Sequence, residues 1–187
     1  FYFRPIRLRE AVSLFVDSKR PAKLRSIEKP VIGGINGAAA GAGLGIALAC
    51  DLRLAAESAK FVFAFSGIGL TADSGVSFTL PRLVGLARAL EMAYTNEPLS
   101  AAEALQRGLV NRVLPDDGLQ AALSELAVKI ARMPTKALGL SKRALNRALA
   151  STFEDALDYE AQLQDIAGRT EDYREGVAAF GEKRAAA

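Results

Sequence analysis

Lys29-Pro30-Val31-Ile32-Gly33-Gly34-Ile35-Asn36-Gly37, followed by Ala38-Ala39-Ala40-Gly41-Ala42-Gly43-Leu44-Gly45 and then Ile46–Cys50, is the stretch that decides the fold. Its first nine residues read as a short buried strand entering a turn, with Asn36-Gly37 as the turn dipeptide. Ala38–Gly45 contains only Ala, Gly and Leu44 and reads as a loop, after which Ile46–Cys50 continues as a helix. Asp51–Ala56 reads as the next strand and Lys60–Phe65 as another. Strand, Gly-rich loop, helix and strand in that order predict an α/β layout with crossover connections.

On the N-terminal side, residues 8–20 have helical character, Pro21 interrupts them, and a second short helix is expected at 22–28. The chain starts Phe1-Tyr2-Phe3-Arg4 without an initiator Met or a signal-peptide layout, so upstream residues are expected to be missing. On the C-terminal side the chain turns helical. Ser100 and Glu103 predict a capping box for a helix at 101–107 that Gly108 ends, and Val110–Leu114 is a short strand. An apolar stripe of period 3.6 through Leu119, Leu123, Leu126 and Ile130 predicts a helix at 118–132. Helices near 136–149, 152–167 and 171–183 follow, with Ser151 and Glu154 as a further capping box. The expected organisation is an α/β core over 1–115, its N-terminal part missing, and a helical region over 116–187 that serves oligomerisation.

Composition excludes several chemistries. The chain of 187 residues has no histidine, which rules out Ser-His-Asp and Cys-His nucleophile systems and any histidine metal site within it. The single cysteine, Cys50, permits no internal disulfide and lies in an apolar run, where it reads as a small buried hydrophobe. No apolar stretch reaches the roughly 18 residues that span a bilayer. The net charge of +3 comes from 24 basic residues interleaved with 21 acidic ones, a mixed solvated surface. Neither a nucleic acid nor a membrane is an expected partner, and the expected location is cytoplasmic.

The Gly-rich stretch admits three sharp readings. A dinucleotide fingerprint fails because Ile46 occupies the third required place and no acidic residue follows about twenty positions on. A phosphate P-loop fails because no Gly-Lys-Ser/Thr follows. An oxyanion hole remains, in which a backbone N–H at a helix N-terminus bonds a developing negative oxygen. Close packing of helix on sheet also asks for small residues and stays open beside it.

Four motifs in order resemble the crotonase (enoyl-CoA hydratase/isomerase) superfamily over about residues 29–184. They are the Lys29–Asp51 run, Leu99-Ser100-Ala101-x-Glu103-Ala104 with Gly108-Leu109-Val110, Pro134…Lys142, and Thr170-x-Asp172-x-x-Glu175-Gly176-x-x-Ala179-Phe180-x-x-Lys183-Arg184. The resemblance implies a ββα spiral core, an acyl-CoA thioester substrate, and a trimer or hexamer. It implies that Ala42 supplies one backbone oxyanion donor, and that Ala38, Ala40, Gly41, Phe65 and Leu70 line the substrate pocket. Phe180 and Lys183 match positions that help hold the CoA adenine and phosphates. The second oxyanion donor normally comes from an upstream Phe-Ser/Cys-Ala-Gly-x-Asp motif that this chain does not contain.

The family's hydratases carry two glutamates, and here Gly45 and Phe65 stand in those places. Neither can position a water or deliver a proton. Ile68-Gly69-Leu70-x-x-Asp73-Ser74-Gly75 instead resembles the ring-epoxyphenylacetyl-CoA isomerase branch, where the aspartate is the acid/base. Asp73 also stands just before a helix-like run, where an N-cap is the ordinary role. Phe63, Phe65 and Phe78 are near it in sequence and are expected to surround it with apolar side chains, or to be plain core. The expectation is an acyl-CoA isomerase with Asp73 as acid/base, acting on a phenylacetyl-CoA epoxide that opens to an oxepin or on an unsaturated fatty acyl-CoA. No metal and no cofactor beyond the substrate's own coenzyme A are expected. The alternatives are an enoyl-CoA hydratase of β-oxidation and a non-catalytic crotonase-fold scaffold or RNA binder.

Overall fold

A computed structural model describes residues 19–185. The first described element, α1 (Lys19–Ser26), runs through Pro21 where a break was expected, and residues 8–18 of the helix predicted upstream lie outside the described residues. Strand β1 (Ile32–Ile35) then passes through Asn36-Gly37 into β2 (Ala38–Ala40). The supposed loop is therefore a three-residue strand followed at once by helix α2 (Ala42–Ala49). Ala39 is the reason: it is buried while Ala38 and Ala40 are exposed, so the period of two that defines a strand is present in methyl groups alone. An all-alanine strand carries no β-propensity signal to read.

Strands β3 (Leu52–Ala56), β4 (Lys60–Val62), β5 (Leu99–Ser100) and β6 (Arg112–Leu114) complete two three-stranded sheets among the described residues. One has the order β1-β3-β6, all parallel, with Ile32 opposite Leu52 and Leu54 opposite Arg112. The other has the order β2-β4-β5, parallel between β2 and β4 and antiparallel between β4 and β5. The turn at Asn36-Gly37 carries the chain from the first sheet to the second, in line with the spiral core that the resemblance implies. Beyond β4, Ser66–Ile68 forms one 3-10 turn, and α3 (Val76–Val84), α4 (Leu86–Thr95) and α5 (Ala101–Gln106) follow. Ser100 and Glu103 make the predicted capping box of α5, and Gly108 beyond its end is left-handed at φ 73°.

Contacts divide the chain into two units. The first comprises 19–26 and Val31–Ala127, the second Ile27–Pro30 and 128–185. In the first, Phe61, Leu44, Ile35, Leu80 and Leu109 form the main core, each at most 1% exposed. Helix α6 (Leu119–Ala131) begins there, with Leu119 and Leu123 packed on Leu54 and Ala56. Arg53 is the unexpected core residue, 6% exposed. Its Nε donates to the Leu109 carbonyl at 2.6 Å and its Nη1 to the Cys50 carbonyl at 2.5 Å, stitching β3 to the segment before β6. Burial pulls its guanidinium below the usual arginine range, with Cys50 and Asp51 acting the other way. Cys50 is half-buried, not buried as predicted, and its Sγ–H donates to the Ile46 carbonyl at 3.5 Å.

The second unit holds α7 (Thr135–Ala148), α8 (Phe153–Gly168) and α9 (Glu171–Glu182). The cap of α8 is Thr152, which accepts from the Asp155 N–H, one residue later than the Ser151–Glu154 pair predicted. Ser151 instead donates to the Arg147 carbonyl of the preceding helix, so it belongs to the end of α7. Glu28 bridges Lys136 and Arg143, and those hydrogen bonds hold its carboxyl below the usual range.

Candidate functional site

Helix α2 begins without a side-chain cap. Its N-cap residue is Gly41, at φ 54° and ψ −123°, a conformation that disfavours any side chain. The Gly41 N–H is taken by the Val62 carbonyl at 3.2 Å, and the first intrahelical bond runs from Gly45 N–H to Gly41 carbonyl at 3.1 Å. The N–H groups of Ala42, Gly43 and Leu44 precede that bond, so they have no acceptor within the helix. Ala42 opens the helix and, like Gly41, is half-buried. Ala38 and Ala40 present the exposed face of β2 leading up to this point. The ring of Phe65 lies beside it: a Cβ on Gly41 would sit 3.7 Å from that ring. Phe65 is 6% exposed and meets Phe63 edge to face at 5.3 Å.

The next turn of α2 explains how Asp73 arrives here. A Cβ placed on Gly45 would lie 2.6 Å from the Ser74 Cβ and 2.8 Å from the Ser74 carbonyl oxygen. Gly45, which the resemblance puts where hydratases carry a glutamate, is thus the residue at which the Asp73–Gly75 turn rests on α2. Gly45 is three residues beyond Ala42, which places it on the same helix face. The turn itself is tight. Val76 N–H donates to the Asp73 carbonyl at 2.9 Å, and both intervening residues, Ser74 (φ 50°) and Gly75 (φ 80°), are left-handed.

Asp73 is not a helix cap. The N-cap of α3 is Gly75, and no side chain caps that helix. The Asp73 side chain is exposed. Phe63 and Phe65 are core, as one of the readings had it, but Phe78 does not form part of an apolar shell. It is 40% exposed, with the Arg82 guanidinium 3.7 Å and that of Arg25 5.3 Å from its ring centre. Leu70, between Phe65 and Asp73, is 59% exposed. Gly41 and Phe65 therefore adjoin at the start of α2, and the Asp73 turn rests about one helical turn further along it, all within the first unit. Phe180 and Lys183 belong to the second. Phe180 is 87% exposed on α9, and Lys183 ends that helix in a left-handed conformation at φ 55°.

Two participants had no legible sequence signal. Ala64 has φ 66°, and the Phe65 N–H donates to the Phe63 carbonyl at 2.9 Å, which makes a γ-turn of the strained hand directly before Phe65. Ser74 is the second: nothing in its own side chain announces its left-handed φ of 50°. Backbone strain of this kind gathers at functional sites.

Residues 9–187 match the family described as Enoyl-CoA hydratase/isomerase. The chain is 46% identical over 162 residues to the 1,2-epoxyphenylacetyl-CoA isomerase of Escherichia coli (strain K12), covering 87% of this chain and 62% of that protein. It is 38% identical over 162 residues to the short-chain-enoyl-CoA hydratase of Clostridium acetobutylicum, with the same two coverages. The crystal structure of an enoyl-CoA hydratase from Bacillus anthracis superposes with a TM-score of 0.87 at 35% identity, covering 99% of this chain and 71% of the other. The chain thus spans less than two thirds of the length of these two curated relatives. Family model and fold agree: the chain belongs to the enoyl-CoA hydratase/isomerase family.

Proposed function

We propose that the chain performs acyl-CoA isomerisation, with the Ala42 N–H as one oxyanion donor and Asp73 as the acid/base. The observation that carries this reading is the seating of the Ser74 backbone on Gly45, which brings Asp73 to the helix whose free N–H groups begin at Ala42. The thioester oxygen accepts from Ala42 N–H, which favours the enolate formed when a neighbouring carbon loses its proton. Asp73 takes that proton and returns it at another carbon, so the product is an isomer and nothing is consumed. One hole donor is worth about 3–4 kcal/mol of transition-state stabilisation. No cofactor takes part on this reading beyond the coenzyme A of the substrate. The favoured substrate is a ring epoxide of phenylacetyl-CoA, a choice supported by the 46% identity to the E. coli isomerase.

Hydration is disfavoured for a local reason. Phe65 and Gly45 place a buried ring and a bare backbone where two carboxylates would handle water. The full-length protein is expected to bind acyl-CoAs at micromolar levels, in the range usual for enzyme substrates. Titration calorimetry with phenylacetyl-CoA and crotonyl-CoA checks this, and no heat with either overturns the reading. Ala38, Ala40 and Leu70 complete the proposed substrate contacts of the first unit; Phe180 and Lys183 are separately proposed to contact coenzyme A. Among the described residues, exposed Phe153, Leu157, Val177 and Phe180 on α8 and α9 support assembly into a trimer or hexamer. Light scattering at working concentration should show that assembly, and a monomer would refute it.

A further inference from the structure

The segment from Phe65 to Asp73 is fastened to the first unit by a side-chain pair that plays no part in the proton transfer above. Its 3-10 turn closes on itself: Ile68 and Leu70 donate N–H bonds to the Phe65 carbonyl at 3.1 and 2.9 Å, and Gly69 donates to the Ser66 carbonyl at 3.1 Å. Those bonds shape the turn without fixing where it lies. Beside the buried Phe65 at its start and Ala72 packed on the core near its end, its place is set by Ser66, whose hydroxyl donates to the Ala93 carbonyl of α4, and by Asn96, whose Nδ2 donates to Ser66 Oγ at 2.7 Å. A Cβ on Gly67 would come within 3.4 Å of the same Nδ2, so the turn lies closely against the amide.

Asn96 is itself unusual. It ends α4 in the left-handed conformation, φ 53° and ψ 18°, with its N–H on the Met92 carbonyl at 3.2 Å. Glycine would serve that helix end as well or better, since it meets no steric penalty at positive φ. Asparagine tolerates the conformation and adds an amide. The carbonyl oxygen of that amide, Oδ1, is buried with no hydrogen-bond partner among the described residues. The side chain is therefore held for its donor and not for a full set of bonds.

We infer that Ser66 and Asn96 are a positioning pair for the acyl pocket, setting where Phe65 and Leu70 stand and how far the Asp73 carboxylate reaches. The segment is pinned at its far end by Ser74 on Gly45, and at its near end by this pair. Without the near pin, the stretch 67–73, exposed except for the half-buried Ala72, gains slack on the substrate side. A displacement of about 1 Å at a reacting group costs as much as a hundredfold in rate. This inference rests on Asp73 being the acid/base.

The test uses the full-length protein and an isomerase assay. Asn96→Gly keeps the left-handed cap and removes the amide, Ser66→Ala removes both bonds, and Ser66→Thr keeps the hydroxyl. Asn96→Gly and Ser66→Ala should each lower kcat by roughly ten- to a hundredfold, with KM and melting temperature close to the parent. Ser66→Thr should stay within about threefold of the parent, and the double variant should be no slower than Ser66→Ala alone, because the two residues act as one unit. Parental kcat in both Asn96→Gly and Ser66→Ala, while Asp73→Asn is inactive, overturns the positioning role and leaves the acid/base reading standing. A fall in melting temperature that accounts for the lost rate also overturns it. Full activity in Asp73→Asn defeats the reading on which the inference rests.

Discussion

Replacing Asp73 with asparagine should lower isomerase turnover by roughly a hundred- to ten-thousand-fold, the range that general acid–base catalysis contributes. The change is nearly isosteric and removes only the ability to take up a proton. The usual objection, that such a substitution damages a helix cap, does not apply. Gly75 is the N-cap of α3, no side chain caps that helix, and the turn is closed by backbone from Val76 to Asp73. The melting temperature should accordingly stay near the parent's. Crotonyl-CoA hydration should be weak in parent and variant alike. Robust hydration that survives Asp73→Asn would mean that another group activates water and that the site has been misassigned.

Gly45→Ala should damage both stability and turnover, although in most helices it would help. Alanine gains about 0.5–1 kcal/mol over glycine in a helix interior. Here its methyl group would lie 2.6 Å from the Ser74 Cβ and 2.8 Å from the Ser74 carbonyl oxygen. Neither neighbour is the loose end of a long side chain, and Ser74 is already left-handed at φ 50°. Overpacking of this kind costs typically 1–3 kcal/mol, so the clash outweighs the propensity gain. For a chain of this size each kcal/mol lowers the melting temperature by about 2–4 °C, which thermal denaturation resolves readily. Because the displaced element carries Asp73, turnover should fall further than stability alone explains. By the same geometry, Gly45→Glu should not install hydratase activity, since the glutamate would have to displace the Ser74 backbone first. A Gly45→Ala variant with parental stability and turnover would show that the α2–Ser74 contact does not hold the site together.

Much of this architecture is legible in the amino-acid sequence alone. Helices α5 and α6 announced themselves through a capping box at Ser100 and Glu103 and through the Leu119–Leu123 stripe, both patterns visible within a short window of sequence. The family followed from four motifs in order, and with it Asp73 and Ala42 as candidates. What the sequence determined by itself was therefore whatever a short window of side chains can encode. Strand β2 escaped because Ala38–Ala40 alternates burial without alternating polarity. The role of Gly45 escaped for a different reason. A missing side chain reads as flexibility or as close packing, and only the fold shows that the gap is filled by the Cβ and backbone carbonyl of Ser74, 29 positions away. The same holds for Arg53, a surface residue by composition, which is buried because two carbonyls from Leu109 and Cys50 converge on it. Tertiary structure decided these points because each depends on distant backbone meeting at one place, and backbone carbonyls are the same in every residue.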